Sequence, residues 1–136
     1  MDIEPIKVLL IEDNVGDCEL ILKMLDTSEI AEFELTHTSR LTSGLKLLES
    51  EKFDIILLDL GLPDSVGFES FKSTLTEHPT IPIIILTGLA NEETGIQTIK
   101  YGAQDYLVKG EFNGKLLARA IQYAIERKKL EGLFIY

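Results

Sequence analysis

Ile55-Ile56-Leu57-Leu58-Asp59 is the stretch that decides the fold of this chain: four apolar residues in a row, then an acid. A continuous apolar run this short, rich in branched side chains, fits a strand buried on both faces. Two more runs of the same kind lie on either side. Val8–Ile11 is followed by Glu12-Asp13, and Ile83–Leu86 by Thr87. Phe33–Thr38 and Asp105–Val108 complete five predicted strands.

Between these runs the apolar period lengthens to that of a helix. Val15, Cys18, Ile21, Leu22 and Leu25 form one stripe, and Leu41, Leu45 and Leu48 another. Phe68, Phe71 and Leu75 repeat the spacing, as do Ile96, Ile99 and Ala103. Leu116, Leu117, Ala120, Ile121, Ala124 and Ile125 make a broad face on a fifth helix. Asn91 is placed to cap a helix whose first turn carries Glu92 and Glu93, and Gly102 to end it. Pro79 and Pro82 confine the connection before the fourth strand to a loop. Strand–helix alternation of this kind gives a parallel sheet with helices on both faces.

Composition sets the boundaries. The chain has 136 residues, of which 45% are hydrophobic and 26% charged, as in an ordinary globular domain. Thirteen basic residues against 23 acidic ones leave a net charge of −10, which repels a polyphosphate backbone, so no nucleic acid is expected as a partner. One cysteine, Cys18, cannot form an internal disulfide, and with His37 and His78 it makes no zinc set. No apolar run approaches the roughly 20 residues of a membrane helix. The acidic start Met1-Asp2-Ile3-Glu4-Pro5 is unlike a signal peptide. The expectation is a soluble, cytoplasmic domain with no membrane partner.

Ligands of open α/β sheets bind outside the carboxyl ends of the strands. The residues there are Glu12 and Asp13, Asp59, Thr87, and Lys109 after the fifth strand. Singly, each has an ordinary explanation as a solvated acid, a capping threonine or a surface lysine. Together they need a cation, because two carboxylates about 4 Å apart repel by roughly 4 kcal/mol at an effective dielectric near 20. Mg2+ prefers oxygen ligands of this type. A carboxylate beside Mg2+ and a lysine can attack a phosphoryl group, since both cations neutralise the incoming oxygens. The Thr87 hydroxyl can bond one of those oxygens, and the product is an acyl phosphate.

The motifs Ile11-Glu12-Asp13-Asn14, Leu57-Leu58-Asp59-Leu60-Gly61-Leu62-Pro63-Asp64, Leu86-Thr87-Gly88 and Tyr106-Leu107-Val108-Lys109 resemble the receiver domain of two-component response regulators. The resemblance covers about residues 5–128. It implies an α/β, flavodoxin-like, doubly wound sheet of five parallel strands in the order 2-1-3-4-5, with five helices in one domain. Residues 1–130 would be that domain, and 131–136 a tail that either leads toward a downstream module or folds back on the domain.

The resemblance also implies roles. Asp59 is the phosphoacceptor. Asp13 and Asp59 bind Mg2+ directly with the Gly61 carbonyl, and Glu12 acts through water. Lys109 pairs with Asp59 and then with its phosphoryl group. Thr87 and Tyr106 form the switch. The donor is a sensor histidine kinase or a histidine phosphotransfer protein. The output surface is the fourth helix, fifth strand and fifth helix, which could also serve a homodimer. Such a domain is a switch with Mg2+-dependent self-phosphorylation and self-dephosphorylation, rather than a metabolic enzyme.

Two positions depart from the family's pattern. Gly110 stands where a proline with a cis bond is usual, and a cis bond before a non-proline residue costs about 3–4 kcal/mol. A trans Lys109–Gly110 bond is therefore expected, with Gly110 free to take a positive φ. Gly88 replaces the usual alanine and should loosen the Thr87 loop.

The remaining features have plainer readings. Cys18 is expected as a small buried residue, His37 as structural, His78 as solvated, and neither histidine near the acids. Lys109, Lys115, Arg119, Arg127, Lys128 and Lys129 read as a solvated face or a contact surface.

Three rival functions share this chemistry or fold. A flavodoxin-like electron carrier needs a hydroxyl- and glycine-rich loop where this chain has Glu12-Asp13. A dehalogenase-type phosphatase needs a second acid at position 61, where this chain has glycine. A degenerate receiver acting only as an interaction module is opposed by the complete set of acids, threonine and lysine.

Overall fold

The computed structural model describes residues 4–132. Strands β1 (Ile6–Ile11), β2 (Phe33–Thr38), β3 (Ile55–Asp59), β4 (Ile83–Thr87) and β5 (Asp105–Val108) alternate with helices. The helices are α1 (Val15–Asp26), α2 (Leu41–Ser50), α3 (Gly67–Glu77), α4 (Glu92–Lys100) and α5 (Gly114–Gly132). The strands form one sheet in the order β2-β1-β3-β4-β5, with every neighbouring pair parallel. The expected doubly wound fold is therefore the fold observed. The expected tail begins inside α5, which runs to Gly132, and residues 133–136 lie outside the described residues.

The three apolar runs sit at the centre of the sheet, and their alternate residues serve opposite faces. Leu10, Leu57 and Leu86 face α1 and α5, where they meet Ile21, Leu25, Leu117 and Ile121. Leu9, Leu58 and Ile85 face α2 and α3, where they meet Leu41, Leu48 and Phe71. All six strand residues have no exposed surface, and burial of each stabilises the fold by about 1.5–3 kcal/mol. Truncating Leu57 to alanine leaves a cavity at the sheet centre and costs about 2–5 kcal/mol.

Several helix stripes sit differently from their sequence pattern. In α4 the buried residues are Gly95 and Thr98, while Ile96 is 45% and Ile99 38% exposed. The cause is steric. A Cβ on Gly95 would lie 3.0 Å from the Thr87 methyl and 3.2 Å from the Tyr106 ring, so the helix turns its small residues inward. Asn91 occupies the capping position of α4 without a side-chain bond, because Leu89–Asn91 forms a 3-10 turn closed from Asn91 N–H to the Gly88 carbonyl. In α1 only Ile21 and Leu25 are buried, whereas Val15 and Leu22 face outward. Leu116 of α5 is likewise exposed.

Two caps position the site. The Asn14 side chain accepts from Asp17 N–H at 2.9 Å and starts α1 directly after Glu12-Asp13. Arg40, at the capping position of α2, makes no such bond. Asp64, from the loop after β3, takes its place by accepting from Leu41 N–H at 2.9 Å and Thr42 N–H at 3.0 Å. No helix among the described residues is long and apolar enough to cross a membrane.

Candidate functional site

Parallel strands end together, so the residues after β1, β3, β4 and β5 share one edge. Glu12, Asp13 and Asp59 each place a carboxylate oxygen within 4.8 Å of the others. Lys109 Nζ lies 2.6 Å from Glu12 Oε1 and 3.1 Å from Asp59 Oδ1. Asp13, Asp59, Gly61, Thr87 and Lys109 line one open cleft of about 480 Å³. The structure thus brings together the six residues predicted to carry the chemistry, namely Glu12, Asp13, Asp59, Gly61, Thr87 and Lys109.

Burial makes this cluster electrostatically tense. Glu12 is fully enclosed and Asp59 nearly so, while Asp13 is exposed. The Glu12 carboxyl is pushed up to about 7: burial raises it most, the Lys109 ammonium opposes that, and the Asp59 carboxylate adds to the rise. Lys109 is held well above the ordinary lysine range: burial alone lowers it, but the carboxylates of Glu12, Asp17 and Asp59 outweigh that. The donor set is all oxygen, and of its three acids Lys109 pairs with two, Glu12 and Asp59. That combination fits a hard divalent cation such as Mg2+ and offers no soft ligand to zinc or copper.

Thr87 and Tyr106 are linked through α4. The Thr87 hydroxyl donates to the Gly88 carbonyl at 2.6 Å, and its methyl packs toward Gly95. The Tyr106 ring covers the same glycine, and its hydroxyl donates to Glu92 Oε1 at 3.2 Å. The bond after Lys109 is trans, as expected, and Gly110 has φ +85°.

Four interactions were not legible in the motifs. Asp17 Oδ2 lies 3.0 Å from Lys109 Nζ, as near as Asp59. The signal was present in the Asn14 cap, which fixes Asp17 in the first helical turn beside the strand ends. His37 Nε2 lies 2.7 Å from the Glu12 carbonyl oxygen, which corrects the expectation that neither histidine approaches the acids. In-register pairing of Ile11 with Thr38 brings the end of β2 beside the end of β1. Asp64 acts as a cap, and Glu92 holds Tyr106.

A family model for the response regulator receiver domain matches residues 8–122. The chain belongs to the response regulator receiver domain family. Among relatives of this receiver domain, the cell cycle response regulator CtrA of Brucella ovis is 35% identical over 123 residues, 90% of this chain and 51% of CtrA. The chain spans about half the length of the curated relatives it matches. A receiver domain from Clostridium thermocellum superposes with a TM-score of 0.75 at 28% identity, covering 92% of this chain and 98% of that one. A CheY-like receiver domain from Methanospirillum hungatei gives 0.80 at 23% identity, over 94% and 99% of the two chains, which speaks for the shared fold.

Proposed function

We propose that this receiver domain accepts a phosphoryl group on Asp59 and uses it to reset its surface. The observation that carries the reading is the contact of Lys109 Nζ with Asp59 Oδ1, inside a cluster of acids that need a cation. An Asp59 carboxylate oxygen attacks phosphorus. The new phosphorus–oxygen bond forms as the bond from phosphorus to the donor breaks, and the donor leaves with that electron pair. The donor is a phosphohistidine on a sensor kinase or a histidine phosphotransfer protein. Asp13, Asp59 and the Gly61 carbonyl would hold Mg2+, with Glu12 reaching it through water. When bound, Mg2+ supplies positive charge against the phosphoryl oxygens.

Lys109 moves its ammonium from the Asp59 carboxylate to a phosphoryl oxygen. Thr87 releases the Gly88 carbonyl and donates its hydroxyl to another. The Thr87 methyl and the Tyr106 ring share the space over Gly95, so movement of one frees room for the other. The output is a population shift of the surface formed by α4, β5 and α5, which serves a downstream domain or a second copy. Self-hydrolysis ends the signal, and the domain works in the cytoplasm.

The test is incubation with Mg2+ and a small phosphoryl donor, followed by intact mass. Wild type should gain one phosphoryl group and Asp59→Ala none. A phosphoryl group retained in the variant would overturn the site, and none on wild type would favour the interaction-module reading.

A further inference from the structure

The acids around Lys109 divide into two sets. Glu12 and Asp59 belong to both the lysine and the group of three carboxylates that can share a cation. Asp13 belongs to that group and makes no ion pair with Lys109. Asp17 is the reverse: its Oδ2 is 3.0 Å from Lys109 Nζ, yet it lies outside the cation group. A dication placed among Glu12, Asp13 and Asp59 draws on two of the three carboxylates that hold the lysine. Asp17 is the acid whose hold on Lys109 is then uncontested.

Its own position is fixed from two sides. The Asp17 N–H is bonded to Asn14 Oδ1 at 2.9 Å, so its backbone is held by the cap that follows Glu12-Asp13. Its side chain is 34% exposed, the most exposed of the three carboxylates that pair with Lys109. The Lys109 side chain is 22% exposed, so Asp17 closes the solvent side of a lysine whose inner side meets Glu12 and Asp59. Without that outer partner, a flexible four-carbon stem beside a bound dication would swing toward water.

We infer that Asp17 is a positioning residue for phosphoryl transfer, keeping the Lys109 ammonium aimed at Asp59 while a divalent cation occupies the acidic cluster. This rests on the reading of Asp59 as phosphoacceptor. An ordinary surface ion pair would steady the start of α1 and have no bearing on rate.

A double-mutant cycle on the full chain separates the two. Phosphorylation by a small phosphoryl donor at saturating Mg2+ is measured for wild type, Asp17→Asn, Lys109→Ala and the double variant. Asp17→Asn should slow it about fivefold, as expected when a partly exposed ion pair no longer steadies the transition state. The same change in the Lys109→Ala background should alter nothing. Side-chain 15N NMR of the lysine ammonium gives a readout independent of turnover. Wild type should keep a sharp, protected Lys109 signal on addition of Mg2+, and in Asp17→Asn that signal should disappear. An unchanged rate with an unchanged signal, or an equal slowing without Lys109, would overturn the inference. If wild type takes up no phosphoryl group, the reading of Asp59 fails, and the NMR result still decides whether Asp17 holds the lysine.

Discussion

Replacing Glu12 by glutamine should stabilise the cation-free domain, and by an amount that depends on pH. Glu12 is fully buried, and its carboxyl is pushed from the ordinary 4.5 up to about 7, first by burial and then by Asp59, with Lys109 opposing. That displacement corresponds to about 3 kcal/mol of preference for the proton over the charge, at about 1.4 kcal/mol per tenfold. The folded value lies above the unfolded one. The associated stability is therefore complete below pH 4.5 and is lost as pH rises through 7. Glutamine copies the neutral acid in shape and does not titrate. In EDTA, Glu12→Gln should match wild type near pH 4.5 and exceed it by about 3 kcal/mol at pH 8. For a domain of this size that is about 10 °C in Tm. Thermal unfolding followed by circular dichroism from pH 4.5 to 8 gives both curves. A variant equal to wild type, or weaker, at pH 8 would show that Lys109 repays the full cost of burying this charge.

Other expected outcomes follow from neighbouring groups. Mg2+ should raise the Tm of wild type, by about 2.7 kcal/mol of stability at 100 times Kd, and Asp13→Asn should abolish the rise in the same thermal scan. Gly95→Ala must push on the Thr87 methyl and the Tyr106 ring and should cost about 1–3 kcal/mol in urea unfolding, less in a Tyr106→Ala background. Asp64→Ala removes the acceptor for Leu41 N–H and Thr42 N–H and should cost about 1–2 kcal/mol. Slight burial raises the Asp64 carboxyl, but the donors of Thr42 and Leu41 outweigh it and lower it overall; its contribution is present above pH 3.8 and lost as pH falls further, which acid titration of wild type and variant would reveal. Amide hydrogen exchange should be faster across α4 than across residues 117–124 of α5, because α4 buries no large apolar side chain.

The sheet and the acid cluster were legible in the sequence for one physical reason. Strands buried on both faces must be continuously apolar, so the first polar residue after each run marks the strand end, where parallel topology gathers everything. Glu12, Asp59, Thr87 and Lys109 were readable in that way. Helix faces were less readable because apolar spacing states which residues could be buried, not which are. Ile96 and Ile99 have the spacing of a core stripe, and the Tyr106 ring over Gly95 turns them outward. Interactions between elements distant in sequence were unreadable from spacing alone. Asp64 caps a helix that begins 23 residues before it, and His37 reaches Glu12 only because β2 lies beside β1.

The same packing bears on how a change at Asp59 could reach the surface. α1 is anchored by Ile21 and Leu25, α2 by Leu41 and Leu48, and α3 by Phe71, each burial worth about 1.5–3 kcal/mol. In α4 the buried residues are a glycine and a threonine, and glycine inside a helix itself costs about 1 kcal/mol relative to alanine. Its tie to the neighbouring strand includes one hydroxyl contact, from Tyr106 to Glu92 at 3.2 Å. Among the five helices described, α4 is therefore the one with no buried large apolar side chain. It is also the helix whose buried glycine lies against Thr87, the residue expected to move when a phosphoryl group arrives. Light anchoring and contact with Thr87 coincide in one element, so, on the proposed reading of Thr87 as part of the switch, α4 is the helix that a rearrangement of a few kcal/mol at the strand ends is expected to move.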